Sequence, residues 1–269
     1  MGFEMSLKLS PIAHDTLCHG WRWVVEDHPT LVDRVARVAL GQYRHVKRII
    51  TGLDVTHPNV SMDIAKNAIQ KLQVAVNGDP WQRDGWIFQT ISWMAAAQKD
   101  DAALLAPPHI FHAHKGFDGI EIEISPDGKS IDAVVIFEDK ATTDPRAMIR
   151  EEVWPTILNL ENGERAAELL HETTALLEAH ESDLDKIDIQ TAIDQIIWKE
   201  VRRYRVSITT STTHESDASR KALFAGYDEN AAGDVIRRRA ETMHFDDLRA
   251  WMNSFANEVI ARIKELENV

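Results

Sequence analysis

The 269-residue chain has a single cysteine, Cys18, so it can form no internal disulfide and no four-cysteine zinc site. A reducing compartment, the cytoplasm, is the expected location. No apolar run approaches the roughly 20 residues that cross a bilayer. The opening MGFEMSLKLSP lacks the apolar segment of a secretory signal, so no membrane association is expected. Internal repeats, low-complexity tracts and Gly/Ser-rich linkers are also missing, which argues against a string of separate modules. Positive charge is scarce: 30 Lys and Arg against 43 Asp and Glu leave a net charge of −13. That excludes a generic nucleic-acid coat, because binding through phosphate alone needs clustered Lys and Arg.

What is present is a globular composition, 44% hydrophobic and 27% charged, in a length that suits one large domain or two small ones. Three basic islands interrupt the acidic background: YRHVKR (43–48), KEVRRYR (199–205) and IRRR (236–239). Each reads as a solvated helix face or, jointly, as a basic strip facing DNA.

Hydrophobic periodicity predicts helices over 30–50, 61–77 and 84–99. In the second, Ile64, Ala68, Leu72 and Ala75 recur at helical spacing between a Ser61 or Asn59 cap and a Gly78 stop. Pro107-Pro108 breaks the pattern. Strands are expected over 109–114, 117–124 and 131–141, the last two joined by Pro126-Asp127-Gly128. Helical signal returns over 145–160, 163–180 and 186–200, and YRVSITTS (204–211) alternates like one more strand. A helix over 245–267 carries an apolar stripe of Leu248, Trp251, Phe255, Val259, Ile263 and Leu266, suited to core packing or to a partner helix. The expected fold class is α/β (α+β), a central mixed sheet flanked by helices. The chain divides into a mainly helical extension (1–83), a core (84–215) and a helical segment (216–269) that packs on the core or a partner.

The hairpin over 115–146 places charge where a core strand should be apolar. Side chains alternate across a strand, so Asp118 shares a face with Ile120, Ile122 and Ile124, and Glu121 and Glu123 face the other way. On the next strand Glu138 and Lys140 share a face with Val134 and Ile136, while Asp139 points oppositely with Val135 and Phe137. A short turn and arms of similar length bring Asp118 beside Glu138. Two carboxylates and an ammonium then meet at one end of the sheet, continuous with an apolar face. Desolvated carboxylates are costly unless paired or metal-bound. Magnesium accepts one or two protein carboxylates and leaves room for water and phosphate, and a lysine beside it can orient water or neutralise phosphoryl charge. The bland reading of the trio is a surface salt bridge contributing at most ~1 kcal/mol.

Asp118 followed by Glu138-Asp139-Lys140, inside helix–strand–strand–strand–helix–strand, resembles the PD-(D/E)xK (restriction-endonuclease-like) nuclease superfamily over roughly residues 84–211. The resemblance implies Asp118, Glu138 and Lys140 as catalytic residues, and Asp118, Glu138 and the Asp139 backbone carbonyl as ligands for Mg2+ or Mn2+. Two departures stand out. Phe117 replaces the proline before the Asp, and Gln89 occupies the helix position where some members carry a further Glu. The layout around GFDGIEIEI and VVIFEDKAT more narrowly resembles the nuclease subunit of the Hachiman anti-phage defence system. That likeness implies a helicase partner that controls DNA degradation of little sequence preference. The alternative is a non-catalytic regulatory subunit of a helicase complex, with a decayed site.

Other motifs compete for attention. His109, His112, His114 and Asp118 could begin a zinc hydrolase site, since His112 and His114 share a strand face. More ordinarily such histidines flank a site or bond within a core. Thr142, Thr143 and Arg146 suit phosphate, or else Thr143 or Asp144 caps the helix that Pro145 opens. Arg203, Arg205, Ser207 and Thr209 share one strand face that could line a DNA groove. The eight tryptophans read as core rather than as base-stacking platforms.

Overall fold

The apolar run from Ile131 becomes the middle of the fold. In the computed structural model of the protein, which describes residues 5–53, 58–109, 116–180, 187, 189–196 and 199–267, it is a strand buried almost throughout. The strands are β1 (Leu7–His14), β2 (Cys18–Val25), β3 (Leu104–Leu105), β4 (Gly119–Ile124), β5 (Ile131–Lys140), β6 (Arg202–Thr210) and β7 (Arg238–His244). They form one seven-stranded mixed sheet in the order β1-β2-β7-β6-β5-β4-β3. β2, β7, β6 and β5 are parallel, while β1 on one side and β4 and β3 on the other pair antiparallel. A strand covered on both faces needs no polar alternation, which is why β5 is nearly continuous in apolar residues.

Helices cover both faces. Ala133, Val135 and Phe137 of β5 pack under α1 (His28–Ala39), α2 (Tyr43–Ile50), α3 (Met62–Leu72), α4 (Trp81–Lys99) and a long C-terminal helix, Leu248–Glu267. Val134 and Ile136, with Ile120, Ile122, Val206 and Ile208, pack under α5 (Pro145–Met148), a π-helical turn (Ile149–Val153), α6 (Trp154–Glu161), α7 (Ala166–Glu178), α8 (Ile189–Ile196), α9 (Asp217–Leu223) and α10 (Tyr227–Asn230). The long C-terminal helix is α11. Of its expected stripe, Leu248, Phe255, Val259 and Ile263 are buried, joined by Met252, while Trp251 and Leu266 are half-buried; the helix packs on α1 and α3, so this face is core. Among the described residues no helix is long and apolar enough to cross a membrane.

Several expectations change. Residues 1–83 carry three helices but also β1 and β2, which extend the sheet, and 216–269 contributes β7, inserted between β2 and β6. The sheet therefore runs through all three segments rather than stopping within 84–215. The helix expected over 30–50 is two, because Gly41 takes φ 79° just after Leu40. The strand expected over 109–114 falls almost wholly outside the described residues; His109 itself is not in a strand.

The basic islands of 199–205 and 236–239 turn inward instead of forming a strip. Arg202, Arg205, Arg238 and Arg239 are buried. Arg205 pairs with Glu241 at 2.8 Å, Arg239 with Glu123 at 2.7 Å, Arg203 with Glu123, and Arg237 with Glu161 at 2.7 Å. Arg203, Arg205 and Arg239 neutralise carboxylates of the sheet itself, and Arg237 neutralises Glu161 at the end of α6.

β2 is held close to β7 at one glycine. A Cβ built on Gly20 (φ 156°) would lie 2.0 Å from the Ala240 carbonyl oxygen. Gly20→Ala is expected to push β2 off β7 and cost about 1–3 kcal/mol, seen as a lower urea midpoint.

Candidate active site

The site forms where β5 ends. β4 pairs Gly119 with Phe137, so Asp118, just ahead of β4, stands level with Glu138. Lys140 closes the strand. Its ammonium Nζ lies 3.1 Å from Glu138 Oε2 and 3.3 Å from Asp118 Oδ2. The Asp139 amide N–H donates to the same Asp118 Oδ2 at 2.8 Å, and the Gln89 side-chain amide donates to Asp118 Oδ1 at 2.6 Å. Both oxygens of Asp118 are thus fixed, one by α4 and one by β5.

Asp139 lies on the opposite face from Glu138, as strand parity expects, with its carboxyl buried against Ser92; at the end of β5 this face lies under α4 beside a cavity of about 460 Å3. Gln89, Asp118, Asp139, Lys140, Thr142 and Glu152 line this space, and Glu138 does not. Glu138, as buried as Asp139, lies on the side of the strand toward Arg165. Asp139 Oδ1 accepts the Ser92 hydroxyl at 2.7 Å, and the hydroxyl of Ser207, opposite it on β6, also holds the carboxylate. Arg205 donates to the Ser92 oxygen at 3.0 Å and pairs with Glu241, so a buried chain of polar contacts supports Asp139 from below.

Burial dominates the electrostatics. It pushes the Glu138 carboxyl up to about 7 against the attraction of Lys140, with Asp118 adding to the rise. It likewise pushes Asp139 up to about 7 against Arg205, again with a contribution from Asp118. Burial opposes the charge on Lys140, but Asp118 and Glu138 together outweigh it and hold the ammonium above its ordinary range. Of the two roles open to this lysine, proton acceptor or fixed positive charge, the arrangement suits the second.

Sequence reasoning brought Asp118, Glu138 and Lys140 together, and the structure places them within one cluster. It missed Ser92 and Glu152, and named Arg205 only as a residue lining a DNA groove. The first had a readable signal, since Gln89 and Ser92 lie three apart on one face of α4. The other two come from remote strands and turns. Arg146, considered for phosphate, instead donates to the Leu223 and Ala225 carbonyls at 2.8 and 3.0 Å. Asp144 is the helix cap, accepting the Ala147 amide at 3.2 Å. Arg205, Ser207 and Thr209 are buried and line no groove; Thr209 exchanges hydrogen bonds with the Thr142 backbone. His112 and His114 lie outside the described residues. His109 Nε2 is 2.6 Å from the Phe117 carbonyl oxygen, which ties it into the approach to Asp118.

Among the described residues no three carboxylate, histidine or cysteine side chains form a ready metal cage. Two carboxylates do converge, on the Lys140 ammonium, and Asp139 adds a third acid close enough to feel Asp118. An excess of buried carboxyl groups over cations fits a hard divalent ion of the two-carboxylate kind and not a three-ligand zinc site. No protein-family model matches the chain, and no curated protein is significantly similar to it in sequence.

Proposed function

We propose that the chain is a divalent-metal-dependent nuclease that hydrolyses phosphodiester bonds in DNA, with a restriction-endonuclease-like core. One observation carries this reading. Two carboxylates share one lysine ammonium at the carboxyl end of a central parallel strand, beside a cavity of about 460 Å3. Carboxyl ends of parallel strands are where α/β sheets place ligands.

Asp118 and Glu138 would hold Mg2+ or Mn2+, with the Asp139 backbone carbonyl as the further ligand implied by the resemblance. The bound ion supplies Lewis-acid charge and lowers the pKa of water. The protein's own groups do the rest. Gln89 and the Asp139 amide hold Asp118 in one orientation. Lys140 supplies a fixed positive charge at the cavity wall, where negative charge builds on the phosphoryl oxygens as water adds to phosphorus and the bond to the leaving sugar oxygen breaks. A helicase partner, and a role in anti-phage defence under its control, belong to the same proposal.

The test is incubation of the purified chain with plasmid DNA and Mg2+, alone and with any helicase encoded beside it. Nicked or degraded plasmid that depends on Mg2+ is expected. Intact plasmid in both arms would leave the non-catalytic regulatory reading in its place.

A further inference from the structure

The helix that covers β5 brings a second feature to the same cavity. Trp81, Gln82, Gly85 and Gln89 of α4 all line it. Trp81, Gly85 and Gln89 are spaced i, i+4, i+8, so one stripe of the helix faces the opening. Trp81 is 55% exposed, whereas Trp86 and Trp93 on the same helix are each 5% exposed. An indole left in water at the mouth of a cavity contributes little to this fold. Gly85 lies in the interior of α4, where glycine is destabilising relative to every residue but proline. A helical glycine is usually explained by close packing, yet a Cβ built on Gly85 meets nothing within 4 Å. The missing side chain therefore serves no contact in the protein. It leaves a trough over the helix between the Trp81 indole and the Gln89–Asp118 pair.

We propose that this trough takes an unpaired nucleobase stacked on Trp81, so that unpaired DNA, a single strand or an opened stretch of a supercoiled plasmid, is the preferred substrate; the inference rests on the nuclease reading of the same cavity. Every base has a π face, so such a platform is indifferent to sequence. A base inside a duplex has both faces covered and cannot reach the indole, so the platform separates single from double strands. Gln82, exposed beside Trp81, presents both an amide donor and an acceptor to a base edge. Trp81 and Gln89 are about 12 Å apart along the helix, or about three to four steps of a stacked strand.

A single-stranded oligonucleotide carrying 2-aminopurine, bound to the full chain in EDTA so that nothing is cut, tests this. Its fluorescence should be quenched on binding. Trp81→Ala should weaken single-strand binding by about 5- to 150-fold and relieve the quenching, Trp81→Phe should recover most of both, and duplex affinity should not change. Gly85→Leu puts a side chain in the trough whose Cβ meets no protein atom, and it improves helix propensity. It should raise Tm by about 1–4 °C while weakening single-strand binding as Trp81→Ala does. Equal losses on single strand and duplex, or a Gly85→Leu chain that binds single strands like the wild type, would overturn the inference alone. A wild-type chain that binds no DNA and, with Mg2+, cuts none would overturn the nuclease reading with it.

Discussion

Lys140→Met is expected to lower Mg2+-dependent DNA cleavage by at least about 10²–10³-fold, the effect of removing one preorganised charge from a transition state. It is also expected to destabilise the protein, and the two effects can be separated. Lys140 lies between two carboxylates, and Glu138 is nearly inaccessible to water. Removing one member of a buried pair leaves the other uncompensated, at a cost of about 3 kcal/mol for a cluster whose outer members, Lys140 and Asp118, are about a fifth exposed. The cost should be smaller near pH 6, where Glu138 can take up a proton. Glu138→Gln combined with Lys140→Met removes both charges at nearly constant volume and should recover most of the stability while cleavage stays lost. Denaturant midpoints and plasmid nicking on the three proteins check this. A double variant that still cuts DNA at the wild-type rate would sink the assignment of these residues.

Mg2+ is expected to raise Tm far more at pH 8 than at pH 5. Glu138 and Asp139 have ordinary values of 4.5 and 3.8 and rise to about 7 in the fold. Between those limits the folded protein keeps protons that the unfolded chain has released. Their contribution is therefore fully present below about pH 4 and is lost as pH rises through about 7. His14, His19 and His214, lowered chiefly by burial, act in the opposite sense near pH 6. The informative quantity is thus the difference between Mg2+ and EDTA at each pH. At pH 8 the carboxylates are ionised and a divalent ion relieves their repulsion. At pH 5 it must first displace protons. An ion at 100 times its Kd stabilises by about 2.7 kcal/mol, roughly 5–10 °C in Tm for a chain of this size. Equal shifts at both pH values would mean that Mg2+ does not meet these carboxylates. A Glu138→Gln chain should lose most of the pH 8 shift.

The parts of the fold legible in the sequence are those set by local rules. The Pro126-Asp127-Gly128 turn joins β4 to β5, and alternation places Asp118, Glu138 and Lys140 on one face; the observed register agrees, with Gly119 opposite Phe137. Ser61 caps α3, accepting the Ile64 amide, and most of the stripe of α11 is buried. β7 was illegible because RRAETMH has no apolar alternation. Its buried charges are satisfied by distant residues, Arg239 by Glu121 and Glu123 and Glu241 by Arg205. β1 was hidden by Pro11, which a strand at the edge of a sheet tolerates.

By itself the sequence determined which side chains of the hairpin share a face, because an extended chain alternates whatever surrounds it. Only the tertiary structure decided what each face meets. α4 crosses the end of β5, so Asp139, on the face assigned away from the site, lines the cavity with Asp118 and Lys140, while Glu138, equally buried, does not. The same crossing leaves Trp81 in water, although its neighbours Trp86 and Trp93 are core as their helical spacing suggests. Alternation is a property of the backbone; access to solvent belongs to the way distant segments pack.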